Sequence, residues 1–291
     1  MRLGFMMKFD KERIEFAKKV GFGCCELGVT PEDDFFPGKD GWETKAKEVA
    51  EYYKEKGIRI SCIAGFYVNH MDPEKEDQYK KLVKDVITLA EKMGVGVVAG
   101  FSGRIVGKPL EESIPKFKEI WSQHAKFAED HGVKIAFEHC PMGNFHTPCN
   151  GINFMCTPQM WEIAFSEVKS ESLGLEWDPS HLICQFIDPV ITIKNFGNRI
   201  YHVHAKDAHV NWDIVKKYGF WYKNAIEHCF PGLGDTDWRL CIKELNRTGY
   251  KGDLNIEGWH DLVYNDRVEK GKEDEGLIIA FRHLSQFFVQ D

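Results

Sequence analysis

Apolar and polar positions along the chain follow two alternating periods. Short, mostly apolar runs read as strands at Leu3–Met7, Cys24–Gly28, Arg59–Ala64, Val95–Gly100, Lys134–Glu138, Leu173–Trp177, Ile200–Ala205 and Leu254–Glu257. Between them, apolar residues recur at three- and four-residue spacing over polar faces. That spacing predicts helices at Lys11–Val20, Glu43–Lys56, Gln78–Met93, Ile114–His131, Pro158–Val168, Pro189–Phe196, Asp237–Thr248 and Gly276–Phe288. Glycine followed by an apolar residue marks helix ends at Gly21, Gly57, Gly94 and Gly132, spaced 36, 37 and 38 residues apart, with a further instance at Gly249. A helix that must turn into a strand commonly exits through a left-handed residue, which glycine adopts without strain.

Eight strands alternating with eight helices predict a parallel sheet that closes on itself. The expected fold class is α/β, a (β/α)8 TIM barrel, with the whole chain from 1 to 291 as a single domain. An open doubly wound sheet usually has fewer strands. Three long loops, Thr30–Gly41, Cys140–Thr157 and Ala208–Thr236, all follow strands. They therefore fall on the C-terminal face, where barrel active sites form.

Composition removes several function classes. The 38 Lys and Arg against 45 Asp and Glu leave a net charge of −7, which argues against a nucleic-acid partner. No segment approaches the roughly 20 apolar residues that span a bilayer, and the apolar run at the start is too short for a signal peptide. A cytoplasmic protein with no membrane partner is expected. The nine cysteines form no CxxC pair; Cys24 and Cys25 are adjacent, and Cys149 and Cys156 are seven apart. That pattern predicts reduced, mostly buried thiols rather than a disulfide framework or a zinc knuckle.

The candidate chemistry sits at the ends of the last four barrel strands. Glu138, Asp178, His204 and Glu257 each close an apolar strand. A single carboxylate there is often a helix cap. Three carboxylates and a histidine converging at one height would repel one another without a cation. The oxygen-rich set suits one divalent ion, with Mn²⁺ expected ahead of Mg²⁺ or Co²⁺.

Asp178-Pro-Ser-His181, the run His202-Val-His204-Ala-Lys206-Asp207, Pro231-Gly-Leu-Gly-Asp235-Thr-Asp237-Trp238, Glu138 with Cys140-Pro141, and Ile256-Glu257 carry a family resemblance. Together they resemble the sugar phosphate isomerase/epimerase superfamily with a xylose isomerase-like barrel, which includes ketose 3-epimerases and inosose dehydratases. The resemblance covers nearly the whole chain. It implies that Glu138, Asp178, His204 and Glu257 bind the metal and that His181 contacts a substrate oxygen near it. It also implies that Glu138 and Glu257 are catalytic, one removing a proton α to a carbonyl and the other returning it. The metal would stabilise the enediolate.

Other residues carry lesser expectations. Lys206 is a candidate for pairing with a substrate oxygen, or alternatively with Asp207 or Asp235. His202, deeper on the same strand face, reads as a packed core histidine. His139 stands where relatives are expected to have asparagine, and strand parity points it away from the barrel axis, so a supporting role is expected. Gly258-Trp259-His260-Asp261 departs from the family pattern and puts phosphate or sugar specificity in question. Trp259 and Arg104 are expected to bind substrate. Phe35, Phe36, Phe66, Tyr67, Trp212 and Trp221 extend a set of aromatics expected at the barrel mouth, where rings stack on sugars.

The leading expectation is a metal-dependent isomerase or epimerase acting on a small keto sugar or polyol. The alternative is a lyase that makes the same proton abstraction and then eliminates a group at the β position, as a dehydratase or a 3-keto-glycoside-cleaving enzyme. A three-zinc apurinic-site endonuclease on the same barrel lacks its extra histidines here, and a non-catalytic sugar-binding barrel has no need of the paired glutamates. A homo-oligomer is compatible with the exposed barrel helices.

Overall fold

The computed structural model describes residues 1–141, 151–265 and 271–289. Cys149 and half of the predicted Cys140–Thr157 loop lie outside these residues. Among the described residues ten strands are present: β1 (Leu3–Met7), β2 (Cys24–Gly28), β3 (Arg59–Phe66), β4 (Val97–Gly100), β5 (Lys134–Glu138), β6 (Leu173–Trp177), β7 (Ile200–Ala205), β8 (Asp207–Val210), β9 (Ile226–Cys229) and β10 (Leu254–Ile256). Eight of them close into a parallel barrel in the order β1-β10-β7-β6-β5-β4-β3-β2. The seam is set by the register Leu3 to Leu254 and Phe5 to Ile256.

The helices are α1 (Lys11–Val20), α2 (Trp42–Glu55), α3 (Glu76–Met93), α4 (Ile114–Asp130), α5 (Pro158–Glu167), α6 (Pro179–Ile183), α7 (Pro189–Phe196), α8 (Trp212–Tyr218), α9 (Trp238–Thr248) and α10 (Lys272–Leu284). Every helix expected from the pattern is present, with ends moved by a few residues. All five punctuating glycines have positive φ, between 66° at Gly132 and 107° at Gly21. The apolar core lies between barrel and helices, where Phe5, Trp121, Phe137, Trp161 and Trp177 are buried. Each such side chain contributes roughly 1.5–3 kcal/mol on burial. Among the described residues no helix is long and apolar enough to cross a membrane.

Two features were not expected. The long loop after β7 folds into an antiparallel ribbon in which β8 pairs with β9, Asp207 opposite Cys229 and Val210 opposite Ile226. A long connection containing α8 separates the two strands, so no tight-turn signal announced them. The barrel interior is also polar. Glu26, Glu176, His202 and Asn255 are buried. Cys62, Ala99 and Ala136 form a small cluster apart from the main core. Small side chains on the inward face leave room for this polar layer. Register shifts at Cys25/Glu26 and Leu175/Glu176 fall at the two glutamates, and such irregularities re-aim side chains.

Candidate active site

Glu138 is the last residue of β5, Asp178 follows β6, His204 lies near the end of β7, and Glu257 follows β10. The structure brings all four together. Each offers one ligand atom, and these atoms lie within 4.8 Å of one another. Local folding aims them. Asp178 caps α6: its Oδ1 accepts the Ser180 amide at 2.8 Å. Its Oδ2 is buried with no hydrogen-bond partner. His204 Nε2 lies 2.7 Å from Glu26 Oε2. Its Nδ1 is a second buried atom without a partner, 3.5 Å from Glu138 and 3.8 Å from Glu257. Orphaned buried acceptors are costly. A carboxylate oxygen and an imidazole nitrogen, both buried without a hydrogen bond among further carboxylates, fit a divalent cation, so the donor set passes this test.

Charge is distributed unevenly around these atoms. Burial opposes ionisation of Glu138, but its hydrogen bond with His181 and the histidines beside it outweigh this and hold its carboxyl well below the usual range. Burial raises Glu257, with the Lys206 charge pulling the other way. Lys206 donates to Glu257 Oε2 at 2.8 Å. Burial works against its charge, yet Glu257 keeps the ammonium above its ordinary value. Below this level Glu176 is pushed well up, by burial first and then by Glu26.

Several predicted residues line one cavity of about 930 Å³: His181, Lys206, Trp259 and Arg104, together with Glu138, His204 and Glu257. His181 Nε2 sits 3.1 Å from Glu138 Oε1 and 3.2 Å from Asp178 Oδ2. Lys206 pairs with Glu257 and with neither Asp207 nor Asp235. Asp207 is engaged elsewhere, accepting from the amides of Ala208, Gly232 and Thr236 and from the Trp238 indole. Arg104 donates through Nη2 to the Lys108 carbonyl at 2.7 Å, which ties part of its guanidinium to its own loop.

His202 is a buried, hydrogen-bonded histidine, 2.8 Å from Glu176 Oε1 and 2.8 Å from Asn255 Nδ2. His139 accepts the Asp178 amide at Nε2 over 2.9 Å and packs on Trp161. It supports the backbone of the neighbouring strand end.

The aromatic set divides. Tyr67, Trp221 and Trp259 line the cavity. Phe35, Phe36 and Phe66 are core residues, and Trp212 packs on Phe186 instead. Phe35, Phe36 and Phe66 do not reach the mouth because alternate side chains of a strand face opposite ways and loop aromatics fold back under the loops, while Trp212 is half exposed outside the cavity lining.

Glu26 and His228 were not anticipated as site residues. Glu26 is an acidic residue inside the apolar run Cys24-Cys-Glu-Leu-Gly28, a signal the sequence did contain. His228 reaches the cavity from β9, and no motif marks it.

The chain is similar to several known proteins. Inosose dehydratase of Clostridium tetani is 27% identical over 243 residues, covering 78% of this chain and 77% of that protein. L-ribulose-5-phosphate 3-epimerase UlaE of Escherichia coli is 22% identical over 271 residues, covering 90% of this chain and 86% of that protein. The crystal structure of the IolI protein with a bound zinc atom superposes at a TM-score of 0.72, with 19% identity and full coverage of both chains. A sequence profile described as the xylose isomerase-like TIM barrel matches residues 14–284. The chain belongs to the xylose isomerase-like TIM barrel family.

Proposed function

We propose that the protein is a divalent-metal-dependent isomerase or epimerase of a keto sugar or related polyol, acting by proton abstraction α to the carbonyl. The observation that carries this reading is the placement of Glu138 and Glu257. Their strands β5 and β10 stand three places apart in the eight-strand ring, and both carboxylates line one cavity. Two carboxylates reaching one carbon from separate directions can take and return a proton without a large movement of the protein.

Glu138, Asp178, His204 and Glu257 would hold the ion, with Mn²⁺ preferred and Mg²⁺ or Co²⁺ as alternatives. When bound, it supplies electrophilic polarisation of the carbonyl and a counter-charge for the enediolate. Lys206 places a positive charge beside Glu257, where negative charge develops on the substrate. His181 hydrogen-bonds a substrate oxygen, and Arg104 lies on the wall for a polar substituent. Tyr67, Trp221 and Trp259 cover the apolar face of the sugar and exclude water.

A second reading shares the first half of this chemistry. A cavity of about 930 Å³ is near the upper end of small-molecule sites. It leaves room for a substituent on the β carbon, whose departure would make the enzyme a lyase. The similarity to an inosose dehydratase supports the same alternative.

Incubation with Mn²⁺ and candidate ketoses in D₂O separates the two. An isomerase or epimerase places deuterium next to the carbonyl without loss of mass. A lyase releases water or an aglycone. Glu257→Gln should abolish either outcome, and full activity with normal metal content in that variant would refute the site assignment.

A further inference from the structure

Beneath the candidate metal centre lies a second group of metal-capable side chains, Glu26, Cys62, Glu176 and His202, all buried. Its polar atoms are largely spent on one another. His202 Nδ1 meets Glu176 Oε1 at 2.8 Å, and its Nε2 meets the Asn255 amide at 2.8 Å. The Tyr67 hydroxyl lies 2.7 Å from Glu176 Oε2 and 3.1 Å from Glu26 Oε1. Asn255 also donates to Ser61, and Ser61 to the Cys25 carbonyl. This is a hydrogen-bonded chain rather than a second cage, and its upper end is the contact of Glu26 Oε2 with His204 Nε2 at 2.7 Å.

A neutral imidazole has one N–H and one lone pair, and the partner of one nitrogen decides the role of the other. Glu26 offers only acceptors at Nε2, so Nε2 carries the hydrogen and Nδ1 the lone pair. Nδ1 is the buried atom left bare, 3.5 Å from Glu138 and 3.8 Å from Glu257. We propose that Glu26 is a positioning residue for His204, fixing the ring and its tautomer so that Nδ1 is presented to the metal held by Glu138, Asp178 and Glu257. Tyr67 holds the other oxygen of Glu26 and keeps the carboxylate from turning. The inference rests on the metal-centre reading above, and it adds a residue on β2, on the far side of β1 from β10.

Two measurements test it on the purified full chain. In the metal-free protein, long-range ¹H–¹⁵N correlation of labelled histidine, assigned with His204→Gln, should show His204 with hydrogen on Nε2. A ring with hydrogen on Nδ1 and none on Nε2 overturns the proposal whether or not metal binds. Calorimetric titration with Mn²⁺ should then show Glu26→Gln binding about 10- to 100-fold more weakly than the unaltered protein, with Tyr67→Phe weakened less. Cys62→Ala, in the same buried layer but outside the chain of hydrogen bonds, should bind as the unaltered protein does. Equal weakening in Cys62→Ala would trace the effect to core disruption and overturn the proposal, as would unweakened Mn²⁺ binding by Glu26→Gln. Failure of the unaltered protein to bind Mn²⁺, Mg²⁺ or Co²⁺ would instead sink the metal-centre reading, and the inference with it.

Discussion

Lys206 and Glu257 form an ion pair at 2.8 Å on the cavity wall, with the Lys206 side chain only 3% exposed. A buried ammonium with one carboxylate partner is held rigidly, and its charge is poorly screened by water. Lys206→Met should therefore lower kcat in the D₂O exchange assay by about 10²- to 10³-fold, the size expected for loss of one preorganised charge-stabilising group. KM should change much less. A fall confined to KM would make Lys206 a substrate anchor without a share in the chemistry.

Metal loading should be visible in stability. An ion that binds only the folded chain contributes about 2.7 kcal/mol at one hundred times its Kd, which raises Tm by several degrees for a chain of this size. Asp178→Asn keeps an oxygen to cap α6, since asparagine is a good cap, but removes the carboxylate charge. Thermal melts with Mn²⁺ should show the rise in the unaltered protein and a much smaller one in Asp178→Asn. An equal rise in both would remove Asp178 from the ligand set.

His139 is fully buried, and its Nε2 is the acceptor for the Asp178 amide. His139→Leu leaves that amide without a partner at a cost of about 1–3 kcal/mol. Urea unfolding should register the loss, while turnover at saturating substrate stays within about tenfold. A drop as deep as that of Glu257→Gln would give His139 a direct part in proton transfer.

Two histidines away from the cavity predict sensitivity to acid. Burial lowers His70 from 6.5 to about 4 and His124 from 6.5 to about 3. Below pH 6.5 the unfolded chain takes up protons that these folded histidines refuse. Their contribution is thus complete above that pH and is lost as pH falls towards the folded values. For His124 the loss between pH 7 and pH 5 is about 2 kcal/mol. His124→Leu, which also removes two buried nitrogens without partners, should flatten the fall by that amount in urea titrations at the two pH values. An unchanged slope would mean that His124 takes up protons as readily in the folded chain as in the unfolded one.

The barrel was legible because its signal repeats. Gly21, Gly57, Gly94, Gly132 and Gly249 each reported a helix end, and all five adopt the left-handed conformation. The convergence of Glu138, Asp178, His204 and Glu257 was legible for a related reason, since strand ends in a closed barrel share one rim. What stayed hidden depends on contacts between distant segments. Glu26 reaches His204 across the interior, a pairing that parity alone cannot specify when register shifts at Cys25/Glu26. The β8–β9 ribbon is joined by residues 211–225, too long a span for a hairpin signal. Phe35 and Phe66 looked like mouth residues by position, but packing took them into the core.

The Asp207 carboxylate has a consequence for how this barrel could change over generations. The chain leaves the barrel at Asp207, builds the ribbon and the wall that carries Trp221 and His228, and returns to the same carboxylate at Thr236 and Trp238. Departure and return are fastened at one point, beside the floor that holds Lys206. The excursion between them behaves as a cassette. Its length and side chains can be rewritten, and with them the wall of the cavity, while Glu138 and Glu257 beneath keep their place.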